Sequence, residues 1–191
     1  ELFFVTDRKN GFWNLYKWVE SRNEVQALYP LDAEFTRPAW LFGNSSYAFI
    51  KHKGQDNYIA CTYRQKGRSY LGILDHVLGS LSLVDIPFTS LSNITSMGSI
   101  LYVEGKSPNH SLSIMKIAFE ENQISVKDMC IIWTSSSLSN TEYNPFFSSP
   151  EIIEFTTNVP GQTAFAYLYM PENGNYQGPE GEKPPLLVRS H

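Results

Sequence analysis

Short apolar runs alternate with clusters of turn-forming residues along most of this chain. The first two runs lie within residues 2–18, on either side of the turn formers at residues 7–11. Asn10 and Gly11 in that cluster adopt positive φ at little cost, which a tight turn between antiparallel strands requires. The pattern therefore predicts a β-hairpin, and residues 25–31 predict a further short strand after it.

The pattern continues beyond residue 39 and predicts a second antiparallel sheet of four short strands. Aromatic and apolar residues fit the pleated surface of a half-buried sheet. Here they are concentrated in four runs, at residues 40–42, 47–50, 58–63 and 70–75. Two further apolar segments, at residues 79–85 and 127–133, are expected to form the outermost strand of a sheet or to lead into the next one.

An internal repeat supports this interpretation. Residues 6–15 align without a gap on residues 62–71, with Thr, Arg, Gly and Leu at the same spacing. Residues 102–112 form a looser third copy, in which a turn again separates an apolar strand from one that opens on Leu. The leucines that end the copies lie 56 and then 41 residues apart, at Leu15, Leu71 and Leu112.

The length of the repeat favours one architecture. A unit of about 40 to 50 residues containing about four strands is typical of β-propeller blades. Residues 1–133 are therefore predicted to be a partial β-propeller of about three blades. Three unrelated hairpins in a sandwich or barrel are the alternative, because hairpin turns are common to all antiparallel folds.

The composition changes after the last of these segments. Residues 134–148 are rich in Ser and have little to bury, which is typical of a linker. Residues 151–157 then alternate between polar and apolar, residues 158–161 are turn formers, and residues 162–170 predict a longer strand. Because their spacing does not continue the repeat, residues 149–191 are predicted to form a separate region that begins with a hairpin.

The closing residues contain a short apolar run behind two prolines. Pro184 and Pro185 precede the run at residues 186–188, and Pro is tolerated at the first position of a strand. We therefore predict a buried strand there. Apolar residues also follow Glu1 directly. We therefore expect both ends of the chain to lie within folded structure, and we expect the chain to be a fragment of a longer protein.

Charge and hydropathy argue against two classes of partner. The 15 Lys and Arg residues are outnumbered by 19 Asp and Glu residues, which gives a formal net charge of −4. No basic surface is available to hold a phosphate backbone, so we expect no nucleic-acid partner. No apolar run approaches the roughly 18 residues of a membrane-spanning helix, so we expect no membrane partner.

The two cysteines bear on the cellular location. Cys61 and Cys130 lie far apart in strand-like surroundings, and both are expected to be buried free thiols. Small secreted domains that depend on disulfides carry many more Cys residues. The sequence therefore favours an intracellular location, in the cytosol or a plastid.

The motifs of common active sites are absent from the sequence. It contains no Gly-x-Ser-x-Gly, no His-x-x-x-His, no Cys-x-x-Cys and no phosphate-binding Gly loop. The histidines fall on predicted turns or at the terminus, at positions 52, 76, 110 and 191. The acidic side chains of Glu104, Glu120, Glu121 and Asp128 are interpreted as solvated. We expect no catalytic residue, no cofactor and no metal site in this chain.

Several segments carry a resemblance to a known family. Within residues 149–191 they are Ser-Pro-Glu-Ile-Ile-Glu-Phe at 149–155, Pro-Gly-Gln-Thr-Ala-Phe-Ala-Tyr-Leu-Tyr-Met-Pro at 160–171 and Lys-Pro-Pro-Leu-Leu-Val-Arg-Ser-His at 183–191. Together they resemble the beginning of the hydrolase domain in the prolyl oligopeptidase family of serine peptidases. The likeness is greatest to its acylaminoacyl-peptidase and dipeptidyl-aminopeptidase-like branch. Earlier, Arg-Pro-Ala-Trp at 37–40 and Gly-Asn-Ser-Ser at 43–46 resemble the family's blade motif, an aromatic residue plus Ser-Pro-Asp-Gly, although Pro-Asp-Gly itself is missing.

The resemblance implies a β-propeller that caps an α/β-hydrolase domain, with a Ser, Asp and His triad located beyond this chain. Residues 149–191 would then be the first β elements of the hydrolase domain, with residues 186–188 as its third strand. In the branch concerned this strand runs into His-Gly-Gly-Pro. His191 would therefore begin the loop that supports the oxyanion, and a solvated terminal His is the rival interpretation.

The function implied by the resemblance is cleavage of oligopeptides by acyl transfer, with peptides as substrates and with this chain inactive by itself. Two other functions stay open on the sequence. A non-catalytic β-propeller that binds other proteins is consistent with the repeats alone, and it predicts more blades after residue 191. A glycan-acting or lectin-like β domain is suggested only by the aromatic content of 14%.

Overall fold

The computed structural model describes residues 1–38, 40–120, 124–137 and 142–190. These residues contain two 3₁₀ turns, Glu20–Arg22 and Asn144–Phe146. They also contain thirteen strands: β1 (Leu2–Thr6), β2 (Asn14–Val19), β3 (Glu24–Ala27), β4 (Tyr47–His52), β5 (Gln55–Gln65), β6 (Arg68–Asp75), β7 (Ser80–Val84), β8 (Ser90–Met97), β9 (Ile100–Ser107), β10 (His110–Phe119), β11 (Val126–Thr134), β12 (Glu151–Thr156) and β13 (Thr163–Leu168).

The strands form consecutive antiparallel sheets. The first sheet has the order β1-β2-β3, the second β4-β5-β6-β7, the third β8-β9-β10-β11, and β12 pairs with β13. The chain divides into two compact units, Glu1–Ser136 and Ser137–His191. The first unit holds the first three sheets, and the second holds the β12–β13 hairpin. The fold is mainly β, and its repeated sheets are consistent with the predicted propeller-like part.

The second sheet is buried on both of its faces. Side chains alternate between the two faces of a strand, and on β5 Ala60 packs in one apolar core while Ile59 and Cys61 pack in the other. The first core also contains side chains of the third sheet, such as Val103, and the second contains Leu15 of the first sheet. The double burial accounts for the largely apolar middle of β5 and β6, at residues 58–63 and 70–74.

The internal repeat corresponds to one hairpin in each of the three sheets. Its copies coincide with the β1–β2, β5–β6 and β9–β10 hairpins. The three strands of the first sheet therefore correspond to the last three strands of the second sheet and of the third. Leu15 and Leu71 are almost completely buried, whereas Leu112 is half-buried, because the pairing of β9 with β10 is interrupted between His110 and Ser113. This irregularity accounts for the looser third copy.

The tightest turns of the structure are not at the predicted Asn-Gly position. Two-residue turns join β4 to β5, β5 to β6, β8 to β9 and β9 to β10. In the first two of them every central residue has positive φ: Lys53, Gly54, Lys66 and Gly67. The predicted hairpin around Asn10-Gly11 is present, but seven residues separate its strands, and of those two residues Gly11 alone has positive φ. Asn10 instead donates its side-chain amide to Leu31 O at 3.2 Å.

One predicted strand of the second sheet is wrong. Residues 40–42 form no strand, and the side chains of Trp40 and Phe42 are 75% and 96% exposed. The sheet takes β7 as its fourth strand instead, so the apolar run at 40–42 belongs to the connection between the first two sheets. The sequence analysis also missed β8, because its Ser- and Asn-containing sequence carries a weak apolar alternation.

The second unit confirms the predicted hairpin and contradicts the predicted closing strand. β12 and β13 pair over six residues each, on either side of a turn that contains Gly161 with positive φ. Residues 186–188 form no strand, and Leu187 is 93% exposed. A strand requires a partner for its backbone N–H and C=O groups, and no strand among the described residues pairs with this run. No α/β-hydrolase strands are therefore seen.

The close approach of β9 to Phe88 generates a testable prediction. A Cβ added to Gly105 would lie 2.4 Å from Cδ2 and 2.6 Å from Cγ of the buried Phe88 ring. We expect Gly105→Ala to lower the free energy of unfolding by about 1 to 3 kcal/mol, because overpacking displaces a ring that cannot move aside. Urea unfolding followed by circular dichroism measures the effect.

A matched variant in the second sheet provides the control. A Cβ on Gly72 would meet the end of the half-buried Leu81 side chain, 2.7 Å from Cδ1. A flexible side chain can rotate away, so Gly72→Ala is expected to cost less than Gly105→Ala. An equal loss of unfolding free energy in the two variants would show that Phe88 yields to the added Cβ as easily as Leu81 does.

Candidate functional site

The histidines of the described residues have structural contacts. His52 is buried and packs edge-on against Tyr58, with 5.8 Å between ring centroids. His76 donates Nε2–H to Asp56 O at 2.9 Å. His191, the predicted start of the oxyanion loop, lies outside the described residues.

One Ser–His contact occurs that the sequence analysis did not anticipate. Ser107 Oγ lies 2.8 Å from His110 Nδ1 at the β9–β10 turn. Asn109 Oδ1 accepts from Ser107 Oγ at 2.7 Å and lies 3.0 Å from the same Nδ1. Because Ser107 donates its hydroxyl hydrogen to Asn109 Oδ1 rather than to His110, the pair is not arranged as a nucleophile and its base. The Ser-x-x-His spacing therefore closes a turn.

The two cysteines differ in environment. Cys61 is buried as predicted, and burial raises the pKa of its thiol from 9.0 to about 12. Cys130 is exposed, so the prediction of two buried thiols is wrong for this residue. It lies on β11, the last strand of the third sheet, in a position paired with Lys116. An edge strand has a neighbour on one side only, which leaves this thiol accessible.

This difference predicts two rates of thiol modification. We expect Ellman's reagent to modify Cys130 rapidly in the folded chain and Cys61 only at the rate of unfolding, because the thiolate is the reactive form. Rapid modification of the one remaining thiol in Cys130→Ser would contradict the buried position of Cys61. Since unfolding lets the Cys61 thiol ionise at its lower, ordinary pKa, stability is expected to fall as the pH rises from about 9 towards 12.

The loops at one end of the sheets in the first unit are joined by backbone hydrogen bonds. This end, called the hairpin end below, carries the β5–β6 turn and the described residues of the connections between sheets, at 28–38, 40–46 and 85–89. Glu34 and Arg64 exchange two backbone bonds of 2.9 Å, and Ser69 N donates to Thr89 O at 3.0 Å. Strands that alternate in direction bring these connections to the same end. The connections therefore form one surface.

A polar cleft opens at the hairpin end. It has about 20 Å³ for the centres of water-sized groups, which is room for one or two. Tyr63 and Leu91 form part of its lining. The rest consists of three charged residues and four small hydroxyl residues: Glu34, Arg37, Arg64, Thr36, Ser46, Thr62 and Ser69. No pattern in the sequence predicted this group of residues, because its members come from four separate stretches of the chain, at 34–37, 46, 62–69 and 91.

Of the three charged residues in the cleft, the carboxylate accepts a hydrogen bond and the two arginines have no ion-pair partner among the described residues. Glu34 Oε2 accepts from Trp13 N at 3.0 Å. The ion pairs found among the described residues are Lys17–Glu1 and Arg22–Glu24, so neither guanidinium of the cleft is paired with a carboxylate there. The cleft thus presents two cations and one anion on a chain whose formal net charge is −4. It is suited to a small anion rather than to acid–base chemistry.

Two other kinds of site were sought in the structure. Among the described residues, no group of three or more His, Cys, Asp or Glu side chains is arranged to hold a metal ion. The described part of the chain has no helix of the length and hydropathy needed to cross a bilayer.

Comparison with known proteins gives matches among solved structures. No family model matches the chain, and no curated protein matches it either. A puromycin-hydrolysing peptidase of Mycobacterium tuberculosis aligns with a TM-score of 0.79 and 24% identity over 96% of this chain. A puromycin hydrolase, and a mutant of puromycin hydrolase in complex with PGG, each align with a TM-score of 0.72 and 24% identity over 96% of this chain.

These matches define what the chain is similar to. It spans about a quarter of the length of the structures it matches, since it covers 26% of each of those chains. At 24% identity the likeness is one of fold. The fold of this chain is therefore that of a segment of puromycin-hydrolysing peptidases.

Proposed function

We propose that this chain is part of a longer serine peptidase of the prolyl oligopeptidase family. The observation that carries the proposal is the fold likeness to a puromycin-hydrolysing peptidase over 96% of the chain. Because the alignment covers 96% of the chain, it includes most of the second unit, Ser137–His191. A propeller of any function could match the first unit alone, so inclusion of the second unit favours the peptidase over a binding scaffold.

The proposal assigns a domain to each region. Residues 1–133 contribute part of a gating β-propeller, and residues 134–148 link it to the catalytic domain. Residues 149–191 supply the first β elements of an α/β-hydrolase domain, of which β12 and β13 are the beginning. The resemblance of the segments at 149–155 and 160–171 supports this assignment, since they coincide with β12 and β13.

The reaction that we propose for the longer protein is acyl transfer. A Ser on a Gly-x-Ser-x-Gly turn beyond residue 191 would attack the peptide carbonyl, while a His held by an Asp takes the proton and delivers it to the leaving amine. Backbone N–H groups would stabilise the oxyanion. In this proposal His191 opens one of the loops that supply them, on the strength of its resemblance to His-Gly-Gly-Pro.

Peptides and aminoacyl amides are the substrate class that we propose. The similar structures are those of enzymes that hydrolyse puromycin, in which an aminoacyl group is held by an amide bond. The same bond type is broken in an oligopeptide. Puromycin and an aminoacyl nitroanilide are therefore the first substrates to test.

The test compares the chain with the longer protein that contains it. We expect the longer protein to hydrolyse an aminoacyl nitroanilide and to react covalently with a fluorophosphonate at a Ser beyond residue 191. The chain of 191 residues is expected to do neither, because it contributes no nucleophile. Turnover by the chain itself would contradict this division of roles.

The continuation of the gene separates the proposal from the scaffold alternative. Gly-Gly directly after His191, then Gly-x-Ser-x-Gly, Asp and His in that order, would support the peptidase. Further four-stranded repeats without these motifs would support a non-catalytic propeller and end the proposal.

A further inference from the structure

The polar cleft at the hairpin end combines features of an anion-binding site. Arg37 is half-buried and Arg64 is exposed, and both residues line the same cleft. Neither has an ion-pair partner among the described residues. Unpaired guanidinium groups beside hydroxyl donors suit an oxyanion, because a planar guanidinium presents N–H donors in a fork that matches a carboxylate.

The walls of the cleft are held by backbone contacts. The bonds between Glu34 and Arg64 fix the connection from the first sheet against β5. Thr62 donates its backbone N–H to Ser46 O at 2.8 Å, which fixes the approach to β4. A ligand would therefore meet groups whose backbone is already in place, so little conformational entropy is lost on binding.

One hydroxyl in the cleft has unused hydrogen-bonding capacity. Ser69 is buried, and its backbone N–H is bound to Thr89 O. Its Oγ makes no hydrogen bond to any described residue, whereas Thr62 Oγ1 is bound to Ser46 O at 3.4 Å. Because Ser69 and Arg64 are directly paired across β5 and β6, their side chains lie on the same face of the sheet.

Size and charge select the class of anion. The available volume of about 20 Å³ corresponds to one or two water-sized groups, which the two oxygens of a carboxylate can replace. Glu34 would repel a phosphate dianion more strongly than a monoanion, and the two arginines would repel an ammonium group. These constraints together favour a single carboxylate.

We propose that the cleft lined by Arg37, Arg64 and Ser69 binds a carboxylate group. Its source is either the carboxyl terminus of a peptide or a small free carboxylate. The peptide source rests on the proposed function, since it gives the propeller part a contact with the substrate class. Inner strands of a propeller surround its central channel, and the cleft borders the starts of β4 and β8 at Ser46 and Leu91.

The test is a titration of the isotopically labelled chain followed by nuclear magnetic resonance. The probes are acetate, N-acetyl-Ala-Ala with a free carboxyl terminus, and its carboxamide. We expect shifts centred on the backbone amides of Arg37, Arg64 and Ser69 with the two carboxylates and none there with the carboxamide. Tighter binding of the peptide acid than of acetate identifies the peptide terminus as the source, and equal binding identifies a small free carboxylate.

Three variants test the assignment of residues. We expect Arg37→Gln and Arg64→Gln each to weaken binding about tenfold or more, since a hydrogen bond between charged groups is lost. Arg68→Gln is the matched control, because it removes the same charge from the same hairpin while its guanidinium lies over Tyr70, 5.8 Å from the ring centroid. It should bind as the unchanged chain does. If Arg64→Gln does not fold, Arg37→Gln decides.

Two results would overturn the proposal. One is equal binding of the acid and the carboxamide, which would show that the charge is not recognised. The other is equal weakening by Arg37→Gln and Arg68→Gln, which would show attraction to net charge alone. Because the binding is measured on this chain, it can fail while the longer protein proves to be a peptidase, and the reverse is also true.

Discussion

Burial of both faces of the β4–β7 sheet is the constraint on which the rest of the first unit depends. Ile59 and Cys61 point into one core and Ala60 into the other, so a shift of β5 by one residue would exchange the two sets. The sheets on either side are placed by these cores, and the two-residue turns around Lys53-Gly54 and Lys66-Gly67 fix the register between β4, β5 and β6. The alternating direction of the strands then gathers the connecting loops at the hairpin end.

This arrangement separates stability from recognition. The apolar cores lie between the sheets, whereas the polar cleft is built from connections and strand ends at the margin of those cores, where Thr62 and Ser69 are buried and Arg64 is exposed. Glu34 illustrates the division, since its backbone pairs with Arg64 while its carboxylate holds Trp13 N. In the proposed peptidase, the cleft would therefore belong to the propeller part.

Local patterns in the sequence were sufficient for the hairpins and insufficient for long-range pairing. The β5–β6 hairpin and its likeness to β1–β2 were predictable, because turn residues and buried leucines recur at fixed spacing. The runs at 40–42 and 186–188 are equally apolar yet form no strand, since strand formation depends on a distant partner. Exposure of Cys130 depends on its position at a sheet edge, and the cleft depends on four stretches of the chain meeting in space. The spacing of residues along the chain gives no information on either of these features.

We propose that the three sheets belong to a propeller and that β12 and β13 begin a different domain. A crystal structure of the longer protein would test this proposal. We expect a further sheet packed on the face of β1–β3 opposite to Leu15, and strands after residue 191 that join a parallel sheet carrying a Ser at a sharp turn. More four-stranded antiparallel sheets after β13, with no parallel sheet, would contradict it.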